Sequence, residues 1–298
     1  MAGLDIRQGR SKVDRQSPSI RNVSDTALWV AVYRAAETDR DDALFRDPYA
    51  RRMAGERGQA IVDALPFGKS MGWSIVVRTA VMDAVILRCI ERGARTVLNL
   101  GAGLDTRAFR LKLPPMLHWL DVDLPAVTAY RRECLDTAVA ACRHAHVPAD
   151  LRLAAERHRV IRDAASNGPL LVVTEGLLVY LDPEQVSELA KQLRREKLAR
   201  WWLADLITPQ LQQTMGMVWG AQLNAADAAF RFAPGDAEAH FLGLNWLETE
   251  FHSTWTNALR LGRASPNALM WDTLVRWAGP AAEMALKRMS GVALLEPA

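Results

Sequence analysis

TVLNLGAGLDTRAFRL, residues 96–111, passes from an apolar run into two close glycines and then into charge. TVLNL reads as a buried strand, and a strand ending on glycine often holds a small polar group against exposed backbone. Before it, residues 73–92 carry apolar side chains at helical spacing and stop at Gly93, predicting a long amphipathic helix. After it, apolar runs at 117–123, 169–174 and 200–207 read as strands, with a short one within VPADL (147–151). Helical patterns at 124–142 and 182–197 separate them. Such alternation predicts a doubly wound, parallel sheet, and ligands of such sheets bind beyond the carboxyl ends of the strands.

The glycine loop leaves its ligand open. No GxxxxGK[ST] is present, so it is not a P-loop. In a dinucleotide GxGxxG the third glycine lets helix and strand pack closely, and here that place is Thr106. A purely structural turn is an equal alternative for GxG alone. The next strand ends in Asp121 and Asp123, the latter 22 residues past Gly101. A carboxylate there can accept from both ribose hydroxyls, or cap the helix that begins near Pro125. Glu175 follows an apolar run and is therefore expected at a strand's carboxyl edge, facing either a cleft or solvent. Tyr180 would then lie over the reacting centre. Asp150 and Leu151 can form an adenine pocket, the carboxylate accepting from the exocyclic amine, or simply a surface loop.

Composition narrows the class. The 298 residues are 50% hydrophobic and 24% charged, as in an ordinary soluble globule. A net charge of +3, with short arginine pairs such as Arg131-Arg132 interleaved with acids, does not build a nucleic-acid face. Three cysteines without CxxC spacing and no apolar leader predict reduced thiols in a cytoplasmic protein. LLVVTEGLLVYL is too short and too interrupted to span a bilayer, so no membrane partner is expected. Six histidines show no metal-ligand spacing; His144 and His146 read as surface residues, and no metal is expected. His240 and His252 are weak candidates for a base. Trp201, Trp202, Trp219, Trp246 and Trp255 are expected in core or lid packing ahead of walling an aromatic acceptor.

At the ends of the chain, residues 1–22 read as a loose polar arm, and Ser24-Asp25 as the cap of a helix. Asp47-Pro48 starts another helix. Residues 208–240 break the strand–helix rhythm with helical patterns, as a lid would. WLETEFHSTW, one helix around 271–289 and the strand GVALLEP return the chain to the sheet.

Five blocks together resemble the leucine carboxyl methyltransferase family: SDTALWVAVYRAAET (24–38), ALFRDPYARRM (43–53), NLGAGLDTRAFRL (99–111), DVDLPAV (121–127) and TEGLLVYLDPEQV (174–186). The resemblance covers roughly residues 24–185 and points to the bacterial branch of small-molecule O-methyltransferases. It implies a Rossmann-like class I fold, a seven-stranded, mostly parallel α/β sheet with an N-terminal helical cap and a helical insertion after the fifth strand. As one domain this divides into an arm (1–22), a cap (23–95), a sheet core (96–207 and 241–298) and a lid (208–240). The implied cofactor is S-adenosyl-L-methionine. Gly101 and Gly103 would pass its methionine moiety, Arg78 would pair with its carboxylate and Arg34 would assist. Asp123 would hold the ribose, Asp150 and Leu151 the adenine, and Glu175 would lie near the methionyl group. Asp105 would brace the loop, and Tyr180 would be the catalytic candidate, though a poor base at a phenol's ordinary pKa. The implied reaction moves a methyl group to a carboxyl or hydroxyl oxygen of a small metabolite. Alternatives are methylation of a protein C-terminal carboxylate, a nicotinamide-dependent oxidoreductase, or cofactor binding without transfer. Acceptor identity and oligomeric state leave no mark in the sequence.

Overall fold

The structure, a computed structural model, describes residues 20–22, 24–265 and 267–298. Seven strands form one sheet: β1 (Thr96–Leu100), β2 (His118–Asp123), β3 (Arg143–Pro148), β4 (Leu170–Thr174), β5 (Ala199–Ile207), β6 (Trp246–Ser253) and β7 (Ser290–Pro297). Their order is β3-β2-β1-β4-β5-β7-β6, and β7 alone runs antiparallel to its neighbours. β1 pairs with both β2 and β4, so Leu98 lies between Leu120 and Val172. Strand order reverses there, and the crevice beyond β1 is where such a sheet binds a ligand.

Alternation of side chains along the strands assigns them to two cores. Leu98, Leu100, Val122, Val172 and Trp202 pack on one face beneath the helices Ala154–Ala165 and Pro183–Arg195. Val97, Trp119, Leu171, Val173 and Leu203 pack on the other. That second face is covered by the long helix Gly68–Glu91 through Val81, Val85, Ile86 and Cys89. All five residues of β1 are buried, and each apolar one contributes about 1.5–3 kcal/mol. The helices Asp25–Thr38 and Ala50–Ala64 lie against the long helix, with Trp29 and Tyr33 packed on Ile61, Val62 and Val76.

Several local expectations are corrected. Most of the expected arm (1–19) lies outside the described residues, but its end is fixed: Ile20 is fully buried and Arg21 pairs with Asp25. Ser24 makes no capping hydrogen bond, and Asp25 instead accepts from Arg21 and Arg57 inside the first turn. The third strand is RHAHVP, which begins at Arg143 and enters VPADL only at Val147-Pro148, because His144 and His146 fill its inward positions. His144 is not a surface residue: its Nε2 meets Asp121 at 2.6 Å and its ring packs on Phe109. The helix after β2 stops at Cys134. Between 208 and 240 there is one long helix, Pro209–Ala225, and then mainly irregular chain. The final helical stretch breaks in two at Gly279-Pro280. Among the described residues no helix is long and apolar enough to cross a membrane.

His146 supplies a pH signature. Burial, with Arg131 nearby, pushes its pKa down to about 4. Its neutral form is favoured on folding, so its share of stability is present above pH 6.5 and lost as pH falls toward 4. Urea melts at half-unit pH steps should show His146→Gln losing less stability than wild type across that window. Parallel declines would remove His146 as a contributor.

Candidate active site

The loop after β1 takes its shape from φ angles of +66° at Gly101 and +51° at Gly103. A Cβ on Gly101 would also meet the Leu177 side chain at 3.0 Å, so backbone closes the floor of the crevice there. The Ala102 amide hooks the loop to the Val122 carbonyl at 3.0 Å. Asp105 braces it, accepting from Asn99 Nδ2 (3.0 Å), the Arg107 amide (2.7 Å) and Arg107 Nη1 (2.6 Å).

Thr106 explains the missing glycine. Its hydroxyl donates to Asp47 Oδ2 at 2.7 Å, and the same oxygen accepts from Arg34 Nε at 2.9 Å. Arg34 also donates to the Leu104 carbonyl at 2.5 Å, while Asp47 Oδ1 accepts from the Ala50 amide at 3.1 Å. Arg34 therefore spends two donors on holding the loop in shape. The loop is strapped to the N-terminal helices.

At the tip of β2 the two aspartates part company. Asp121 is fully buried and accepts from Asn99, Trp119, Arg131 and His144. Asp123 reaches the crevice, accepting from the Gly103 amide (2.6 Å) and the Leu124 amide (2.7 Å). Burial raises its pKa, against the lowering effect of those two N–H groups. Further along, the Asp150 carboxylate faces Arg152 Nη2 at 2.7 Å, and the Leu151 carbonyl accepts from buried Arg157 at 2.8 Å.

Beyond β4 lies a cluster of opposite charges. Glu175 accepts from Arg78 Nε at 3.0 Å and Arg107 Nη1 at 2.6 Å. Arg78 Nη1 donates to Asp205 at 2.7 Å, and Arg107 Nε to Asp83 at 2.6 Å. Arg110 also donates to Asp83. Burial alone would neutralise Glu175, but the Arg107 and Arg78 guanidinium groups pull its pKa below the ordinary range. Burial likewise works against the charge on Arg107, yet Asp105, Glu175 and Asp83 raise its pKa well above the usual value. Arg78 Nη2 has no hydrogen-bond partner among the described residues. Gly176 leaves room over that guanidinium, since a Cβ there would sit 3.5 Å from Nη1.

One cavity of about 710 Å³ joins these parts. Gly101, Gly103, Asp123, Asp150, Leu151, Glu175, Arg78, Arg34 and Tyr180 all line it. Tyr180 packs on Phe230 with ring centroids 5.5 Å apart and bonds to Thr26. Burial raises its phenol pKa, so it holds its proton and is a donor, not a base. His240 and His252 are not among the lining residues, and His252 is engaged by Glu250. The five singled-out tryptophans pack elsewhere: Trp202 on Trp246, Trp219 on Trp29, Trp255 on Trp73, and Trp201 under Arg92. Trp29 is the tryptophan that lines the cavity. Sequence reasoning passed over Arg107 and Asp205. An acid at the carboxyl end of the apolar run RWWLADLI was a signal of the kind that had marked Glu175. No group of three or more potential metal ligands occurs among the described residues.

This sheet order, with a glycine loop after β1 and an acid at the tip of β2, is a doubly wound, Rossmann-like architecture. Two solved structures share the fold at 16% identity: a DUF574-family protein from Streptomyces avermitilis (TM-score 0.55, covering 90% of this chain and 97% of that one) and a Thermobifida fusca protein provisionally named a methyltransferase (0.56; 94% and 96%). Residues 27–194 match the leucine carboxyl methyltransferase model. The chain belongs to the leucine carboxyl methyltransferase family. A Streptomyces avermitilis relative provisionally named an S-adenosyl-L-methionine-dependent methyltransferase is 33% identical over 274 residues, 84% of this chain and 91% of the relative. A Streptomyces coelicolor relative with the same provisional name is 39% identical over 180 residues, 55% of this chain. The match spans 61% of that relative's length, and 63% of a similar one from Frankia alni.

Proposed function

We propose that this chain transfers a methyl group from S-adenosyl-L-methionine to a carboxyl or hydroxyl oxygen of a small metabolite. The observation that carries the reading is the single cavity, floored by glycine backbone, with a ribose-type acid at one end and an Arg78–Glu175 pair at the other. The donor set fits the cofactor. Arg78 Nη2 suits its carboxylate, Asp123 its ribose, and Asp150 with Leu151 its adenine. When bound, that cofactor supplies an activated methyl on a neutral leaving group. The chain's own residues align and desolvate the acceptor. Trp29, Val30, Ile75, Met215 and Phe230 supply an apolar wall, and Tyr180 donates a hydrogen bond toward the acceptor oxygen. An ionised carboxylate acceptor needs no base. Thr106, bonded to Asp47, stands where a dinucleotide fingerprint has the third glycine that lets helix and strand pack closely, which speaks against a nicotinamide cofactor.

This reading takes the chain as one methyltransferase domain, with residues 23–95 as cap and 208–240 as lid. The thiols of Cys89, Cys134 and Cys142, none in a disulfide, support a cytoplasmic setting. Calorimetry with S-adenosylmethionine, its demethylated product and NAD tests the reading. The first two should bind saturably with Kd near 1 μM, about −8 kcal/mol, and NAD should not bind. Saturable NAD binding without response to the sulfonium compound would overturn it. Transfer of labelled methyl to an acceptor from cell extract, read by mass shift, should follow. Binding without any transfer would leave a cofactor-binding protein.

A further inference from the structure

We propose that Asp205 completes a cation-selecting end of the cavity, binding the methionyl ammonium and favouring the positively charged cofactor over its neutral demethylated product. The inference rests on the cavity holding S-adenosylmethionine and adds a residue and a selectivity to that reading.

The argument begins with charge. Asp83, Asp105, Glu175 and Asp205 form one connected network with Arg78, Arg107 and Arg110. Four negative charges against three positive leave a net of one negative. Its continuation through Asn99 reaches Asp121, which Arg131 and the His144 ring both hold; with a neutral imidazole that part carries no net charge. A net charge inside a protein is costly unless something compensates it.

The surplus falls at Asp205. Asp83 is held by Arg107 and Arg110, Glu175 by Arg78 and Arg107, and Asp105 by Arg107 with Asn99. Asp205, like Asp105, has one guanidinium contact, Arg78 Nη1 at 2.7 Å from an arginine that also holds Glu175, but unlike Asp105 it has no side-chain amide beside it. Its side chain is 17% exposed, against 10% for Asp83 and 14% for Glu175. The Gly176 amide donates to Oδ1 at 2.7 Å and fixes the carboxylate at the cavity wall. Its remaining acceptor capacity suits a compact ammonium, which brings three donors.

The ligand chemistry matches this tally. S-adenosylmethionine carries a sulfonium, an ammonium and a carboxylate, a net of one positive charge. Its demethylated product keeps the last two and is neutral. Only the former cancels the surplus, so loss of the methyl group also loosens the hold on the product. At low effective dielectric such a difference in charge is felt across several ångströms.

Asp205→Asn, measured by calorimetry with each compound, tests this. Affinity for S-adenosylmethionine should fall about tenfold and that for the product about threefold, with Asp205→Glu recovering much of the difference. Equal losses would overturn the charge selection, and unchanged affinities would remove Asp205 from the site. Should Asp205→Asn not fold, the wild-type protein decides. An analogue carrying an amine in place of the sulfonium group, with the same net charge, should bind more tightly than the product. Binding no tighter than the product would overturn the proposal. Failure of wild type to bind either natural compound would instead refute the cofactor reading beneath it.

Discussion

Arg107→Met should destabilise the fold by about 3–5 kcal/mol at pH 7, the cost of breaking buried ion pairs from one side. Arg107 is almost fully buried and donates to Asp83, Asp105 and Glu175 at 2.6 Å each. Methionine keeps much of the stem's volume, so a cavity contributes little and the loss is electrostatic. The network's four carboxylates would then be left with two guanidinium groups, those of Arg78 and Arg110, and Asp105 with no ion pair. The pH dependence carries a further signature. In wild type, Asp105 and Glu175 have lowered pKa values, so their stabilisation is present above the ordinary carboxylate range and lost as pH falls. Without Arg107, burial dominates and raises those pKa values, so acid relieves the variant while it weakens wild type. Urea melts should therefore show the gap narrowing as pH falls from 7 to 5 through relief of the variant, and further below the ordinary carboxylate range as wild type weakens. A gap below about 1 kcal/mol at pH 7 would mean that the cluster is not a structural hub.

Asp123→Ala should weaken S-adenosylmethionine binding by about 1–3 kcal/mol while leaving the fold nearly as stable. The two effects separate because of where Asp123 sits. Burial raises its pKa, so the ionised form present at pH 7 is disfavoured on folding. The sign follows: its contribution is most favourable at low pH and declines as pH rises through the interval between the unfolded and folded values. Removing the side chain lifts that penalty and loses the bonds from the Gly103 and Leu124 amides, so the changes offset. A ribose donates to the ionised form, so wild-type affinity should also fall as the solution is acidified. Calorimetry at pH 7.5 and 5.5, with thermal melts of both proteins, checks both parts. Wild-type affinity in the variant would take Asp123 out of the site.

The part of the site nearest β1 was legible because its signals are local. An apolar run, two glycines, an acid at the next strand's end and another after β4 each follow from a few adjacent residues. The charged end was not legible as a whole. Asp83, Arg107 and Asp205 come from the long helix, the short helix Arg107–Arg110 and a strand, far apart in the sequence. Only the sheet's closure brings them within hydrogen-bonding distance. β3 was displaced in the reading for a related reason. Its inward residues are His144 and His146, stabilised by Asp121 and Phe109, so it lacks the apolar alternation by which strands are recognised. The break at Gly279-Pro280 was available in the sequence, yet the flanking apolar spacing masked it.

The Thr106–Asp47–Arg34 strap bears on how such a chain can be recombined. Residue 95 looks like a natural seam, helices before it and sheet after it. Yet the turn at Asp47 and the loop at Leu104–Thr106 share their hydrogen bonds across that seam. A sheet core grafted onto foreign helices would bring a threonine hydroxyl and a leucine carbonyl with nothing to meet. The smallest interchangeable cassette for the glycine floor therefore reaches back to Arg34. It is a unit of inheritance defined by shared hydrogen bonds, and its edges do not coincide with those of the layers.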